Sequence, residues 1–282
     1  MLTVVIPSNN EENYIEQCLD CIAAQTGLTD DHGIQVIVAA NGCHDRTVQR
    51  AKAKEPDLAA SGYALVVLDV PVGNKMNALN LAEEVATFQN RVFLDADVKI
   101  GPRMLMELAE VLSQDRPIYA SGTLTIPRTN SIASRAYAKV WSNLPFVKDG
   151  VPGIGLYAMN GPGRARWEEF PPIYSDDRFV RLQFSSEERC KTKETYEWPL
   201  PDGFMNLVNV RHRWSEGNME LTEKYPQIIQ NDTERNNTAA SMVGLLRTPF
   251  SSVIFVLIYT ISTLRARQTK GGKEFHWRRG RD

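Results

Sequence analysis

Cysteine is scarce in this chain, whose 282 residues include four, namely Cys18, Cys21, Cys43 and Cys190. Four irregularly spaced thiols are too few for the disulfide framework of a small secreted domain. The Cys18-x-x-Cys21 pair lies within a helical apolar pattern that also contains Tyr14, Ile15, Leu19 and Ile22. Small thiols pack as hydrophobic side chains, and no second pair completes a zinc site. We therefore expect Cys18 and Cys21 to belong to a core rather than to a redox or metal motif.

A large excess of charge of one sign is also absent. The chain has 32 Lys and Arg against 34 Asp and Glu, a formal net charge of −2, which argues against a protein wrapped in nucleic acid. This total conceals a segregation, because residues 265–282 carry seven basic and two acidic residues. The first 264 residues therefore hold 25 basic and 32 acidic side chains. We expect the basic tail to serve a local role.

Several signals of other protein classes are missing. No basic segment or cleavage site precedes the opening strand pattern, so we expect a cytosolic N-terminus. No G-x-G-x-x-G follows that strand, which argues against a dinucleotide-dependent oxidoreductase, and no Walker A spacing is present. The Gly-rich N-terminal loop of sugar-1-phosphate nucleotidyltransferases is absent as well. With 43% hydrophobic residues, the chain is long enough for one large α/β domain or two small ones.

One uncharged apolar segment, residues 250–264, is fifteen residues long. As a helix it would reach about 22 Å, short of the roughly 30 Å hydrocarbon core of a bilayer. Extending it back to 239 includes Arg247 and Pro249. We therefore favour an interfacial or re-entrant segment, over a lone spanning helix or a buried core element. The basic residues that would meet anionic headgroups are Arg265, Arg267, Lys270 and Lys273.

Apolar strand patterns alternate with helical periodicities in the first half of the chain. This alternation predicts a mostly parallel sheet with helices on its faces. The strand patterns cover 2–6, 34–40, 64–70 and 92–94, and the helical ones cover 12–24, 45–54, 75–88 and 101–114. The strand patterns are continuous rather than alternating, which indicates strands buried on both faces. Helical periodicity returns at 177–182 and over 205–231.

Polar side chains follow the first two predicted strands where each strand ends. The first segment runs from Val5 to Glu12 and the second from Ala39 to Thr47. An α/β sheet binds its ligand beyond the carboxyl ends of its strands. The alternatives are local, because Asn9, Asn10 or Asp45 would also serve as helix caps and Asn-Gly is a turn signal.

Two further segments carry charge at equivalent places. The segment Val72–Asn80 puts Lys75 and small residues at a predicted helix N-terminus, which suits anionic phosphates. Asp95-Ala96-Asp97 follows the strand ending at Leu94. Such hard oxygen ligands suit Mg²⁺ or Mn²⁺ bridging a diphosphate, although an isolated Asp-x-Asp is usually a solvated turn.

The order of these segments resembles that of family-2 glycosyltransferases of the GT-A fold, a Rossmann-like α/β fold with a mostly parallel mixed sheet flanked by helices. The similarity rests on V-V-I-P-S-N-N-E-E, V-I-V-A-A-N-G-C-H-D-R-T, G-N-K-M-N-A-L-N and D-A-D, and covers about residues 1–215. It implies a nucleotide-sugar donor, with a UDP-sugar favoured, and a divalent cation, Mg²⁺ or Mn²⁺, on Asp97 and Asp95. The implied donor-binding residues are Pro7, Ser8, Asn9, Glu11, Asn41, Lys75, Asp95, Ala96 and Asp97.

The resemblance also implies a catalytic base in the later acidic pair of Asp176 and Asp177. By its place in the motif Asp177 is the base and Asp176 its neighbour; from the residues alone this pair would be a helix cap.

The chain departs from the family pattern at two places. Ala40-Asn41 occupies the place of an acidic pair, which weakens the case for uridine, and Val210 replaces the glutamine of the Q-x-x-R-W motif of processive members. Candidate contacts to phosphate or acceptor are Arg164, Arg166, Arg211, Arg213 and Trp214, and the last three also suit an ordinary helix face.

These observations lead to an expected function and organisation. We expect a catalytic domain over 1–235 and an apolar helical segment with a basic tail over 236–282. The expected enzyme is an inverting glycosyltransferase in polysaccharide biosynthesis, which adds one sugar to a lipid-linked or polysaccharide precursor at the cytoplasmic membrane face. The alternatives are a soluble transferase with a small-molecule or protein acceptor, and a non-catalytic nucleotide-sugar-binding protein. Nucleic acid is not an expected partner.

Overall fold

The computed structural model describes residues 1–28, 33–232 and 248–269. Eight strands form one mixed sheet in the order β3-β2-β1-β4-β7-β6-β8-β5. The strands are β1 (Leu2–Ser8), β2 (Ile34–Asn41), β3 (Ala64–Val70), β4 (Arg91–Leu94), β5 (Lys99–Ile100), β6 (Tyr119–Thr125), β7 (Leu156–Met159) and β8 (Arg189–Glu197). All four strands predicted from the first hundred residues are thereby confirmed.

The helices fall between and after these strands. The ones in the first half of the chain are α1 (Ile15–Ala23), α2 (Thr47–Ala53), α3 (Glu55–Ala60), α4 (Lys75–Glu84) and α5 (Met104–Val111). They are followed by α6 (Ile132–Trp141), α7 (Pro145–Lys148), α8 (Gly161–Arg164), α9 (Asp176–Arg181), α10 (Phe204–Lys224), α11 (Pro226–Ile229) and α12 (Pro249–Thr269). The α/β class predicted from the alternation is confirmed, and the mixed sheet agrees with the fold that the family resemblance implies.

Strands β3, β2, β1 and β4 run parallel, and β7 is antiparallel to both β4 and β6. Strands β1 and β2 are buried almost throughout, as continuous apolar runs predict. Strand β3 departs from that prediction, because most of its residues are partly exposed. It lies at the end of the strand order, where β2 is its one strand partner among the described residues.

Helix boundaries differ from the periodicity by a few residues, and a tertiary contact explains one of the differences. Helix α1 begins at Ile15 rather than near residue 12, after a turn in which the amides of Tyr14 and Ile15 both donate to the carbonyl of Glu11. Helix α4 ends at Glu84 rather than near 88. There the buried Gln35 amide group donates to the Val85 carbonyl and accepts from the Thr87 amide, which draws the chain off the helical path.

The core thiol prediction is confirmed for Cys18, which is 1% exposed between the buried side chains of Ile15, Leu19 and Ile22. Cys21 is half-buried, and both thiols are free. Burial raises the pKa of the Cys18 thiol, so this side chain stays protonated and behaves as a small apolar group.

The contacts divide the chain into two compact units. Unit 1 comprises Met1–Leu124, Gly153–Pro172 and Glu187–Trp198 and is built on the sheet. Unit 2 comprises Thr125–Pro152, Ile173–Ser186 and Pro199–Asp282. The boundary predicted at 235/236 lies outside the described residues, as do 236–247 and the basic tail from Lys270 onward.

Unit 2 is helical around α6, α10 and α12. The Tyr137 ring of α6 stacks on the Phe255 ring of α12 with centroids 5.1 Å apart. Four residues are buried along α12: Phe255, Ile258, Ser262 and Ala266. Over Pro249–Gln268 this helix is long and apolar enough to cross a membrane, a test that core helices also pass. Its other face carries five large exposed side chains: Phe250, Val253, Val256, Leu257 and Leu264.

Candidate active site

The ends of β1 and β2 meet through asparagine side chains. The Asn9 amide group donates to the carbonyls of Asn41 at 2.5 Å and Gly42 at 3.3 Å. The buried Asn41 amide group in turn donates to the Ser8 carbonyl at 3.0 Å. Parallel pairing sets Pro7 opposite Ala39 and Ser8 opposite Ala40. Parallel pairing therefore brings these two strand ends to one edge of the sheet, where the amides of Asn9 and Asn41 hold them together.

Neither Asn9 nor Asn10 caps helix α1, whose N-cap position is Tyr14. Asn10 has a positive φ of 53°, a conformation that asparagine tolerates better than most residues. Its side-chain oxygen accepts from the His44 amide at 2.7 Å. The capping alternative for these two residues is therefore wrong, because both contact the turn after β2 rather than the helix after β1.

Asp45 and Thr47 bring the start of α2 against the segment that contains Glu11. The Asp45 carboxylate accepts from the Thr47 amide at 3.0 Å and from the Glu12 amide at 3.1 Å. The Thr47 hydroxyl accepts from the Glu11 amide at 2.7 Å. These contacts fix the backbone on both sides of the half-buried Glu11.

Two glycines let the turns after β2 and β3 approach closely. Gly42 has a φ of 57°, and a Cβ atom there would lie 2.5 Å from the Gly73 amide nitrogen. A side chain at Gly42 would therefore force the two turns apart. The approach also brings Gly73 towards Asn9, whose Nδ2 would lie 3.5 Å from a Cβ on Gly73. The Asn41-Gly42 pair thus acts as the turn that its sequence indicates.

Lys75 links the start of α4 to the end of β4. Asn74 caps α4 by accepting from the Asn77 amide at 3.1 Å, which places Lys75 in the first turn. The Lys75 ammonium donates to the Asp95 carboxylate at 3.4 Å. The lysine side chain is 16% exposed and the aspartate side chain 39%, so the pair is sheltered on the lysine side and open on the carboxylate side.

The Asp95-Ala96-Asp97 turn is held by its backbone. The Asp95 amide donates to the Gly155 carbonyl at 2.9 Å, and its carbonyl accepts from the Val98 amide at 3.0 Å. Ala96 is buried, whereas Asp95 and Asp97 are half-buried. Gly155 has a φ of 74°, and a Cβ atom there would collide with Trp198. A glycine is therefore required at the position that anchors the Asp95 amide.

The two carboxylates fit a divalent cation that a substrate helps to hold. Within the described residues, no group of three or more His, Cys, Asp or Glu side chains forms a metal site. Two carboxylates cannot complete the coordination of Mg²⁺ or Mn²⁺ alone. Such ions are commonly held by one or two carboxylates together with substrate phosphates. Hard oxygen donors, partial exposure and the neighbouring Lys75 suit that mode of binding.

Asp176 and Asp177 lie in unit 2, in the first turn of α9. Asp176 is 5% exposed, whereas Asp177 is half-buried. The Asp177 carboxylate accepts from the Arg178 amide at 2.7 Å. The preceding residue, Ser175, packs closely on α10, because a Cβ atom on Gly217 would collide with its hydroxyl oxygen. The more accessible carboxylate is thus the one that the motif assigns as the base.

Arg164 and Arg166 are both engaged within unit 1. The Arg164 guanidinium lies 3.2 Å from the Glu83 carboxylate and 4.8 Å from the centroid of the Trp167 ring, and it also donates to backbone carbonyls. Arg166 forms a bidentate ion pair with Glu188. A phosphate would have to compete with these partners.

Arg211, Arg213 and Trp214 lie half-buried on α10. The Arg211 guanidinium lies 4.7 Å from the Tyr259 ring centroid and donates to the Tyr137 hydroxyl at 3.3 Å. Burial raises the pKa of that hydroxyl. The Trp214 ring stacks on Trp141 with centroids 6.4 Å apart. Arg211 and Trp214 thus have helix-packing roles in unit 2, as the helix-face interpretation predicts.

Sequence reasoning missed the residues that position these groups. The most prominent are Gly217 and the Arg178–Asp232 ion pair, whose atoms lie 2.8 Å apart across 54 sequence positions. A glycine within a helical pattern was the only local signal for the first. Nothing local marks the second.

Comparison with known proteins identifies related sequences and folds. The family model described as glycosyl transferase family 2 matches residues 3–150. No curated protein sequence matches the chain significantly. Among solved structures, mannosyltransferase PcManGT from Pyrobaculum calidifontis, in complex with GDP-Man and Mn²⁺, is 19% identical with a TM-score of 0.60, covering 96% of this chain and 76% of that one.

Two further structures share the fold at similar distance. TarS 1–349 from S. aureus, in complex with UDP-GlcNAc, is 12% identical with a TM-score of 0.51, and the coverage is 95% of this chain and 91% of that one. Glucosyl-3-phosphoglycerate synthase from Mycobacterium tuberculosis, in complex with Mn²⁺, UDP and glucosyl-3-phosphoglycerate, is 18% identical with a TM-score of 0.52, and 79% of each chain is covered. At these identities the likeness shows the fold alone.

Proposed function

The chain belongs to glycosyl transferase family 2 and is a glycosyltransferase of the GT-A fold, and from this premise we propose that it moves one sugar from a nucleotide-sugar donor to an acceptor hydroxyl with inversion. The observation that carries the proposal is the Lys75–Asp95 pair beside Asp97, at an edge where four strand ends bring polar groups together. This arrangement combines the Lys75 ammonium and two carboxylates next to a helix N-terminus, which suits a diphosphate with its metal ion.

The donor half of the mechanism follows from these groups. We assign the ribose and the metal-bound diphosphate to Asp95 and Asp97, with Lys75 contacting a phosphate oxygen. When bound, the divalent cation would neutralise negative charge on the leaving nucleoside diphosphate. Lys75 would add to that stabilisation from a sheltered position, where a charge acts more strongly than in bulk water.

We propose a UDP-sugar as the donor, recognised by Asn9 and Asn41 on the turns after β1 and β2. The Asn41 amide nitrogen is occupied by backbone carbonyls, so its side-chain oxygen is the group suited to accept from a base N–H. The structures of PcManGT and TarS hold GDP-Man and UDP-GlcNAc respectively, and guanine, like uracil, presents an N–H donor. GDP-mannose is therefore the competing donor to test.

The acceptor half rests on Asp177. We propose that this carboxylate removes the proton from the acceptor hydroxyl while that oxygen attacks the anomeric carbon from the side opposite the leaving diphosphate. One displacement inverts the configuration, and no covalent sugar–enzyme intermediate forms.

A donor panel tests the proposed reaction. Unmodified protein with Mn²⁺ is expected to release nucleoside diphosphate from one nucleotide sugar of a panel that includes UDP-glucose, UDP-GlcNAc and GDP-mannose. Release from no donor would favour a non-catalytic nucleotide-sugar-binding protein. The Asp177→Asn variant should bind the donor nearly normally and lose transfer by at least about 100-fold, in the range reported for general acid–base catalysis. Normal turnover in that variant would remove Asp177 as the base.

We further propose that the enzyme works at the cytoplasmic membrane face, on a lipid-linked or polysaccharide precursor. The support is the exposed face of α12, where Phe250 is 68% and Val253 59% exposed. The helix contains no acidic residue, and Arg265 and Arg267 lie exposed near its end. Because its other face packs on α6 and α10, α12 is suited to lie along a bilayer rather than to cross it alone.

The apolar residues should dominate this attachment. Full burial of one such side chain contributes about 1.5–3 kcal/mol, against about 1 kcal/mol for a basic residue at an anionic surface. The Val253→Glu/Leu257→Glu variant should therefore lose binding to vesicles of phosphatidylglycerol and phosphatidylcholine in a flotation assay. Val85→Glu, which alters an exposed valine of unit 1, should float like the unmodified protein.

Two outcomes would contradict the membrane proposal. Unmodified protein that fails to float with any vesicle, and stays soluble after cell fractionation, would favour a soluble transferase with a small-molecule or protein acceptor. Loss of self-association without loss of flotation in the double variant would assign the apolar face to a second copy of the chain.

A further inference from the structure

Two arginines of α9 share one buried carboxylate. The Arg178 guanidinium lies 2.8 Å from one Asp232 oxygen, and the Arg181 guanidinium lies 3.1 Å from the other. The three side chains are between 4% and 12% exposed. Because each carboxylate oxygen has its own arginine, Asp232 fixes two points on α9 that lie nearly one helical turn apart.

Neighbouring contacts strengthen this hold. Asn231, next to Asp232, donates to the Leu182 carbonyl at 2.9 Å, just after the end of α9. Arg178 also donates to the Asn218 side-chain oxygen at 2.9 Å, and Arg181 donates to the Val151 carbonyl at 3.1 Å. Asn231 and Asp232, which lie two and three residues after the end of α11, form what we call the α9 clamp. It holds the chain from Arg178 of α9 to Leu182.

The clamp connects directly to Asp177. The Asp177 carboxylate accepts from the backbone amide of Arg178 at 2.7 Å, so any shift of Arg178 carries that carboxylate with it. Removing the charge of Asp232 would leave two guanidiniums sharing a neutral partner in a buried place. The two guanidiniums would then form other hydrogen bonds, and α9 would shift with them.

We infer that Asp232 is a positioning residue, which acts through Arg178 to hold the Asp177 carboxylate in its reactive orientation. This inference rests on the proposed role of Asp177 as the base. A misplacement of about 1 Å at a reacting group can lower the rate about 100-fold. Asp232 itself needs no contact with either substrate for this effect.

Asp232→Asn tests the inference, with Glu83→Gln as its matched control. Glu83 is likewise a sheltered carboxylate between two arginines, Arg91 and Arg164, but lies in unit 1. Both variants are expected to lose thermal stability. Only Asp232→Asn should lose kcat, by about 10- to 100-fold, with the donor Kd and the acceptor KM within about twofold of unmodified protein. Asp232→Glu, which keeps the charge, should recover part of the lost kcat.

A double variant separates positioning from a general structural effect. If Asp232 acts through Asp177, the Asp177→Asn/Asp232→Asn protein should transfer no more slowly than Asp177→Asn alone. Asn218→Ala, which removes one hold on Arg178 without burying an unpaired charge, provides a milder variant if Asp232→Asn does not fold. It should lower kcat by about 3- to 10-fold.

The outcomes distinguish this inference from the proposed function. Unmodified protein that transfers no sugar overturns both. Suppose instead that unmodified protein is active and Asp177→Asn is not. A kcat of Asp232→Asn within twofold of normal then overturns the positioning role alone. If Asp232→Asn does not fold, a kcat of Asn218→Ala within twofold of normal does the same. Equal losses of kcat in Asp232→Asn and Glu83→Gln, or additive losses in the double variant, also overturn it.

Discussion

Asp95 and Asp97 are two residues apart in one backbone turn, and both are half-buried. The Asp95 carboxylate is paired with the Lys75 ammonium at 3.4 Å. That ammonium partly balances the charge of Asp95 and so weakens the attraction of this carboxylate for a metal ion. We expect Asp97, to which the resemblance to the family also assigns the metal ion, to be needed for metal binding.

We predict that Asp97→Asn lowers Mn²⁺-dependent transfer by at least about 100-fold, equivalent to about 2.7 kcal/mol of transition-state stabilisation. Its UDP affinity should fall when Mn²⁺ is present and stay unchanged in a chelator, as measured by calorimetry. Asp57→Asn, which alters an exposed aspartate of α3, should leave both quantities unchanged. Equal UDP affinities of Asp97→Asn and unmodified protein in Mn²⁺ would contradict the metal assignment.

At the scale of elements, α10 positions the Asp177 turn by close approach. A Cβ atom on Gly217 would collide with the Ser175 hydroxyl oxygen and lie 3.2 Å from Tyr174 Cβ. The Tyr174 amide also donates to Glu220 on the same helix at 2.9 Å. Burial and the charges of Glu216 and Glu220 raise the pKa of the Tyr174 hydroxyl. Helix α10 therefore holds the chain immediately before the candidate base.

We predict that Gly217→Ala lowers kcat by about 10-fold and fails to stabilise the protein. Alanine in place of glycine favours a helix by about 1 kcal/mol, but overpacking costs about 1–3 kcal/mol. Chemical unfolding and steady-state kinetics would measure the two effects. Thr222→Ala, on the same helix, should leave kcat unchanged. A stabilised Gly217→Ala protein with normal kcat would show that the approach to Ser175 has no bearing on catalysis.

At the scale of the whole molecule, binding of the donor and of the metal ion should together raise the free energy of unfolding. A nucleotide at 100 times its Kd adds about 2.7 kcal/mol to the free energy of unfolding. In a protein of this size that corresponds to roughly 5–10 °C in Tm. Each ligand should increase the effect of the other, because Asp95 and Asp97 would hold the ion and the diphosphate would supply further oxygen ligands to it.

Thermal unfolding measures this coupling directly. UDP with Mn²⁺ is expected to raise Tm by several degrees, and either ligand alone by much less. Excess EDTA should remove most of the gain, whereas Asp177→Asn should keep it. The same increase in EDTA as in Mn²⁺ would contradict metal-coupled nucleotide binding.

Much of the fold and part of the site follow from local sequence. The apolar runs predict the four parallel strands because buried strands need apolar side chains on both faces. Parallel order then brings the polar segments after Ile6 and Ala40 to one edge, where Asn9 and Asn41 meet. Motif order identifies the family, since Asp-x-Asp gains meaning only after the earlier segments.

The tertiary structure decided what depends on residues far apart in the chain. It paired Arg178 with Asp232 and Arg164 with Glu83, placed β3 at a half-exposed edge, and packed only one face of α12. Periodicity and motifs depend on residues within a few positions of one another, so they predict helices, strands and the places where these end. Which buried charges become partners depends on the geometry of packing and the cost of leaving a charge unpaired, and no local pattern records either.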